Sequence, residues 1–530
     1  MKKRVYIICA VFTALLFYSI NVLYSVSQNE LYVETAHSQQ KRKITLHTSR
    51  GTIYDRNLIP LTNSAESICI YAILPPERST LIKMKDNFKE DIDIEKALAE
   101  GKPLLIPVKE VIDTENVSYI NLSDRYSANQ PASNILGYLS DNSPVSGIEK
   151  YADGILKSFE SSLSVVYTAD SLGRMIVGEE YEIINNSDIS SDGGVVLTLD
   201  KELQKFCEEE GKYIENGAIV VLSVPDAEIL AAVSYPLFDS SCPENFLEKE
   251  NSPFINKCFS SFAPGSVFKL VLTTAALNEN YDTLNIYNCN GTTYSDNMAF
   301  SCYGSIPHGQ VNLNLALGKS CNCYFMNLSK RLSIRSMLTS AYNFGLGTSQ
   351  EVFEGLFTES GNIPDENSLN NNRALSNFAI GQGEVTVTPI QVAAMLNTVA
   401  SRGTYAEPSL YEGITHDGKE ITEKAEPKSV KAFKYTDMLL TENYMETAVK
   451  YGTASKGGSS LYRAFAKTGT AQTGVFENGK ELLNYWYAGF IETENNERYV
   501  IVVLSANETE GNNKTGEIFK KIGEYIALDF

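Results

Sequence analysis

Residues 263–277 read APGSVFKLVLTTAAL, and this stretch decides the reading of the whole chain. From Ser266 onward it is apolar nearly all round, the pattern of a helix buried in a large domain. Pro264-Gly265 marks where that helix starts. Side chains three apart are neighbours on one helix face, so Lys269 can reach the Ser266 hydroxyl. A serine at a helix start also lies beside free backbone N–H groups, which favour a developing oxyanion. For Lys269 to act as a base it must be neutral. Moving its pKa from about 10.4 to near 7 takes about 3 units, or roughly 4 kcal/mol. Burial and a neighbouring cation can both supply that shift.

Two further short motifs fit the same chemistry. Ser320-Cys321-Asn322 falls between two helical patterns, NLNLALGK and CYFMNLSKRL. Lys467-Thr468-Gly469 lies in a strand-like run. Lys467 is a natural candidate for the cation beside Lys269, and for a carboxylate-binding group aided by Thr468 and Thr470. Gly469 lets a ligand or another backbone approach closely, which suits an edge strand on which a peptide can lie. Each motif has decoys. SxxK recurs at Ser38 to Lys41, SxN at Ser140-Asp141-Asn142 and Ser295-Asp296-Asn297, and KTG at Lys514-Thr515-Gly516. The decoys sit in polar, turn-like surroundings with no core to desolvate a lysine.

The rest of the chain sets the context. Its 530 residues are 43% hydrophobic and 21% charged, enough for two or three domains with sizeable cores. A net charge of −20 excludes a basic nucleic-acid footprint, so no nucleic acid is expected as a partner. The four histidines, His37, His47, His308 and His416, form no HxxxH pattern and no CxxC pair accompanies them. No metal and no cofactor are therefore expected. Of nine cysteines, Cys9 lies in an apolar run, Cys289 and Cys302 could bridge a loop, and Cys321 and Cys323 read as small packing residues.

Val5 to Val26 carries no charge and is long enough to span a bilayer. Lys2, Lys3 and Arg4 precede it, which predicts residues 1–4 in the cytoplasm and the body outside. Short strand-like stretches (ESICIYAIL, PLLIPV, SVVYTA) follow, up to a turn-rich linker at Asn186 to Gly194. The organisation predicted is an anchor over 5–26, a β-rich domain over 27–192, and a mixed α+β domain over 193–530. In the last, Lys201 to Ile214 reads as a helix and GAIVVLSVPDAEILAAVSYP as a hairpin turning at Pro225-Asp226. GQGEVTVTPIQVAAMLNTVAS reads as a loop entering a helix. AFAKTGTAQT, NYWYAGFIE and YVIVVLSAN read as three strands, and Glu517 to Phe530 as a closing helix.

SxxK, SxN and KTG, in this order, form the signature of the penicillin-recognising serine enzymes. The words around them, APGSVFK, HGQVNLNLALGKSCN, GQGEVTVTPIQVAAMLNTVAS and WYAGF, resemble class B penicillin-binding proteins. RGTIYDRN from Arg50, ILGY with GIEKYADGIL, and LTLDKELQ resemble motifs of that family's N-terminal pedestal and its boundary. The resemblance covers nearly everything from Arg50 onward. It implies an antiparallel sheet flanked by helices, on a pedestal or dimerisation-like domain of about 140 residues.

It also implies roles. Ser266 attacks the penultimate D-alanine carbonyl of a D-Ala-D-Ala stem peptide, and Lys269 takes its proton. Ser320 and Asn322 relay protons and orient the substrate amide. Lys467 and Thr468 bind the terminal carboxylate beside Gly469, and the N–H groups of Ser266 and Thr470 form the oxyanion hole. β-Lactams would trap Ser266, and a SEDS-type glycosyltransferase in the membrane would be the partner that polymerises glycan. The rival readings are a non-catalytic cell-wall scaffold and a D,D-carboxypeptidase or β-lactamase-like hydrolase. No water-activating group for deacylation stands out, and a silent scaffold need not keep all three motifs.

Overall fold

The structure, a computed structural model, describes residues 2–29, 32, 35, 38–127, 129–140, 142–176, 178–186, 192–296 and 298–530. His37, Asp141, Asn297 and residues 187–191 of the predicted linker lie outside the described residues. The apolar run forms a helix, α1 (Lys2–Ser27), with none of its residues buried. Among the described residues it alone is long and apolar enough to cross a membrane.

The chain divides into two compact units. The smaller holds residues 1–50, 63–125 and 159–191, the larger 51–62, 126–158 and 192–530. The smaller unit has two three-stranded sheets. Strands β1 (Lys41–Ser49), β2 (Ile68–Leu74), β3 (Leu104–Val108), β4 (Ser118–Ser123), β5 (Ser161–Thr168) and β6 (Glu182–Asn186) pair in the orders β1-β5-β6 and β3-β2-β4. Their apolar faces enclose small clusters, one of Ala72, Leu74, Leu81, Met84, Ile106 and Val108, another of Ile73, Leu163 and Val165.

In the larger unit, α2 (Lys201–Glu210) precedes the predicted hairpin β7 (Gly217–Ser223) and β8 (Ile229–Tyr235). The buried helix follows as α3 (Lys269–Asn278), entered by a 3-10 turn over Gly265–Phe268. Then come α4 (Leu313–Gly318), α5 (Asn322–Ser329), α6 (Pro389–Ala400), α7 (Tyr435–Tyr451), the meander β9 (Arg463–Glu477), β10 (Lys480–Glu492) and β11 (Arg498–Glu508), and a closing α8 (Thr515–Asp529). One antiparallel sheet runs β8-β7-β11-β10-β9, with the KTG strand β9 at its edge as expected.

Alternation along the strands splits the core, as period-two side chains require. Ala218, Val220, Leu222, Val500, Val502 and Leu504 face a large cluster containing α3, α5 and α6. Ile219, Val221, Ile501 and Val503 face a second one capped by Ile518, Phe519 and Ile522 of α8. Every residue of α6 is buried, and its start is closed by a capping box between Thr388 and Gln391, which satisfies end groups that would otherwise be orphaned.

Two segments that composition placed before residue 193 belong to the larger unit: 51–62 and 126–158. Hydrogen bonding explains the first. Thr52–Tyr54 pairs in parallel with Gly194–Leu197. Buried Asp55 accepts from the N–H groups of Asn57, Ile59 and Lys201 at 2.9, 2.8 and 3.1 Å, and Asn57 donates to Asp200 at 2.9 Å. The RGTIYDRN and LTLDKELQ words are thus one interlocked structure.

Candidate active site

The site is assembled from three elements. The turn before α3 carries Ser266, and α3 opens with Lys269. The link between α4 and α5 carries Ser320 and Cys321, and α5 opens with Asn322 behind Cys321 as its N-cap. The edge strand β9 carries Lys467, Thr468, Gly469 and Thr470. Close backbone approach holds the turn against the strand. Gly265 has φ +52°, and a Cβ there would lie 2.5 Å from the Thr470 carbonyl oxygen. A Cβ on Gly469 would lie 2.6 Å from that of Pro264. The Gly265 N–H donates to Gly381 O at 2.9 Å, and the Trp486 indole on β10 donates to Ala263 O at 2.9 Å.

Both lysines are completely buried. Lys269 Nζ donates to Ser266 Oγ at 2.9 Å, Asn322 Oδ1 at 2.6 Å and Ser320 O at 2.9 Å, and lies 3.3 Å from Ser320 Oγ. Lys467 Nζ donates to the same Ser320 Oγ at 3.0 Å and to Thr468 O at 2.7 Å. Ser320 therefore bridges the two amines. Among the described residues neither lysine has a carboxylate partner within ion-pair distance.

Burial pushes Lys269 down to about 8, against a smaller opposing effect of Cys321, Cys302 and Cys323. Burial first, and then the Lys269 charge, hold Lys467 well below the ordinary lysine range. Two cations sharing one hydroxyl cannot both stay charged cheaply in a dry site. A carboxylate ligand would restore the charge on Lys467 and leave Lys269 as the neutral amine.

The predicted site residues Ser266, Lys269, Ser320, Asn322, Lys467, Thr468, Gly469 and Thr470 thus lie at one locus. The decoys do not join it. Ser38 Oγ bonds its own turn at Thr35 O, Ser295 Oγ donates to Asn372 O, and Lys514 sits 4.1 Å from the Tyr213 ring. Sequence reasoning missed several supporting groups. Asn322 Nδ2 donates to Ser301 O at 2.9 Å, and Thr468 Oγ1 donates to Thr453 Oγ1 at 2.8 Å. Neither has a sequence signal, because a backbone carbonyl and an isolated threonine carry no motif. Cys289 and Cys302, a possible bridge in the sequence, are free thiols with Sγ atoms 3.8 Å apart.

Comparison with known proteins agrees with this geometry. Residues 217–524 match the penicillin binding protein transpeptidase domain. Stage V sporulation protein D of Bacillus subtilis is 28% identical over 495 residues, 87% of this chain and 74% of the relative. Peptidoglycan D,D-transpeptidase PbpA of Mycolicibacterium smegmatis is 25% identical over 389 residues, 70% of this chain and 76% of the relative. Among solved structures, a chain from a peptidoglycan synthase complex superposes with TM-score 0.69 at 21% identity, covering 97% of this chain and 96% of that one. A match over more than half the chain, with its three motifs meeting in one buried site, means that the chain belongs to the penicillin-binding protein transpeptidase family, in class B.

Proposed function

We propose that this chain is a peptidoglycan D,D-transpeptidase that cross-links stem peptides through an acyl-serine on Ser266 and is a target of β-lactams. The observation that carries the reading is the buried Lys269 amine, 2.9 Å from Ser266 Oγ and 2.6 Å from Asn322 Oδ1. A donor stem peptide lies along the edge strand β9, with its terminal carboxylate on Lys467 and Thr468. Neutral Lys269 takes the Ser266 proton as Oγ attacks the penultimate D-alanine carbonyl. The N–H groups of Ser266 and Thr470 receive the oxyanion, an arrangement that stabilises charge only as it develops. The proton then passes from Lys269 through Ser320 Oγ to the leaving nitrogen. The C–N bond breaks and D-alanine departs. An amine of a neighbouring stem attacks the ester, gives up its proton along the same relay, and regenerates Ser266.

The anchor α1 ties the catalytic body to a membrane, with Lys2, Lys3 and Arg4 favouring a cytoplasmic N-terminus. The similarity to a chain of a peptidoglycan synthase complex supports a membrane glycosyltransferase of the SEDS type as partner. The test is gel labelling of the detergent-solubilised full chain with fluorescent penicillin. A stable band in the wild type that disappears in Ser266→Ala is the expected result. No band from folded wild type at high probe and long times overturns the reading, and a band that fades within minutes assigns the site to a hydrolase.

A further inference from the structure

Four potential ligands converge beside the SxN segment. Cys289, Cys302, His308 and Cys321 place their Sγ atoms and one ring nitrogen within 4.8 Å of one another. They come from separate places in the fold: Cys289 ends the strand Tyr287–Cys289, Cys302 follows the strand Met298–Ser301, His308 precedes the strand Gly309–Val311, and Cys321 caps α5. We propose that these four side chains form a structural site for one zinc-class divalent metal ion.

The spacings carry the argument. Zinc binds thiolate sulfur at about 2.3 Å and imidazole nitrogen at about 2.0–2.1 Å in a tetrahedron. Tetrahedral angles then place two ligand sulfurs about 3.8 Å apart, and a sulfur and a nitrogen about 3.5 Å apart. Cys302 Sγ lies 3.8 Å from Cys289 Sγ and 3.9 Å from Cys321 Sγ, and Cys289 Sγ lies 3.6 Å from His308 Nδ1. Three of the six edges of the tetrahedron are already drawn to within about 0.2 Å, and the other three pairs need close by no more than about 1.3 Å.

The surroundings fit bound thiolates as well. The N–H of Gly291 donates to Cys289 Sγ, and that of Tyr324 to Cys321 Sγ, each at 3.4 Å, the outer-shell bonds that orient ligands. Three buried sulfurs and an imidazole are a soft set that selects zinc over magnesium or calcium. Half-buried His308 leaves a route in from solvent. Four protein ligands close the coordination shell, so the site is structural and no reaction step passes through it. Cys323 Sγ touches Cys302 Sγ at 3.6 Å but stands outside the mutually close set.

The position gives the metal a task. Cys321 is the middle residue of Ser320-Cys321-Asn322, and Cys302 adjoins Ser301, whose carbonyl accepts from Asn322. One ion would pin both segments that flank Asn322, whose other amide atom meets Lys269. The four ligands are positioning residues in this role. The sequence reading expected no metal because the ligands come singly along the chain rather than in pairs.

The test uses the full chain in detergent, purified without reductant or chelator from zinc-containing medium. Elemental analysis should give about one zinc per chain, and cobalt exchange should give the thiolate charge-transfer bands of a tetrahedral site. Cys302→Ser and His308→Ala should each lose at least tenfold in bound metal, whereas Cys207→Ser and Cys323→Ser keep it. Stripping the wild type with phenanthroline should lower its melting temperature and slow penicillin acylation at least fivefold, with recovery on adding Zn²⁺. This step needs no substitution, so misfolding of a variant cannot imitate it. A wild type that holds no zinc and takes up no cobalt overturns the proposal. So does a disulfide from Cys302 to a neighbour in the protein as isolated, or full metal in Cys302→Ser. Ser266→Ala should keep its zinc, so the site stands or falls separately from the acyl-serine chemistry.

Discussion

The buried lysine beside Ser266 makes the pH profile of acylation the most direct probe of the proposed mechanism. Lys269 is held at about 8 by burial, so roughly 1% of it is neutral at pH 6, about 9% at pH 7 and about 90% at pH 9. The second-order rate constant for penicillin acylation should climb about tenfold per pH unit below pH 7, rise about 90-fold in all between pH 6 and pH 9, and level off above pH 8. An ordinary lysine would give a climb of about 1,000-fold over the same interval with no plateau. The assay is stopped-flow labelling with a fluorescent penicillin at limiting probe, which reports the free enzyme. The sign for stability follows from the same group. Its folded pKa lies below its unfolded value, so the unfolded chain binds more protons between about pH 8 and pH 10.5, and stability rises with pH across that window. Below pH 8 the burial costs a constant amount, about 3 kcal/mol. A rate that keeps rising tenfold per unit through pH 9.5, or a profile flat from pH 6 upward, would refute Lys269 as the base.

Other consequences can be checked with single substitutions. Ser38→Ala and Lys514→Ala should leave acylation at the wild-type level while Ser266→Ala abolishes it; a large loss at Lys514 would mean that the wrong KTG has been assigned. Gly265→Ala must take a side chain at φ +52° with its Cβ 2.5 Å from Thr470 O, so it should destabilise by about 2 kcal/mol or more and slow acylation. An unchanged melting temperature would show that the turn can yield. Trp486→Phe strips the donor from Ala263 O, three residues before Ser266. It should cost about 1–3 kcal/mol, and equal unfolding midpoints in a denaturant titration would count against that bond.

Much of the larger unit was legible in the sequence because its signals are local. The stretch from Val267 to Leu277, apolar nearly all round apart from Lys269, Thr273 and Thr274, specifies a buried helix whatever it packs on. Three strand-like runs separated by polar turns specify a meander, and Pro225-Asp226 specifies the hairpin before it. The three motifs that meet at the candidate site were separable from their decoys because only Ser266, Ser320 and Lys467 sit beside apolar sequence that can desolvate a lysine. What was not legible depends on distant pairing. The strand Thr52–Tyr54 reads like its neighbours in the smaller unit, yet its ladder partner is Gly194–Leu197. Cys289, Cys302, His308 and Cys321 look unrelated until β-pairing of Tyr287–Cys289 with Gly309–Val311 folds the intervening hairpin back onto α5.

The geometry of Ser320 shows how the fold holds the two lysines together. Its φ is +54°, a left-handed conformation that costs a residue with a Cβ roughly 1–2 kcal/mol. In this conformation its carbonyl and its hydroxyl both turn toward Lys269, at 2.9 and 3.3 Å, and the hydroxyl also meets Lys467 at 3.0 Å. Hydrogen bonds involving a charged group are worth about 1.5–3 kcal/mol each, enough to offset the backbone cost. The joint is also held from both sides, by Ser320 N–H on Leu317 O and Cys321 N–H on Ala316 O. Glycine would adopt the backbone without strain but could not supply the hydroxyl, and an unstrained serine would turn its carbonyl elsewhere. A serine held against its own preference is therefore the residue that lets one oxygen serve both amines. Strain of this kind concentrates where chemistry is done, and here it joins Lys269 of α3 to Lys467 of strand β9.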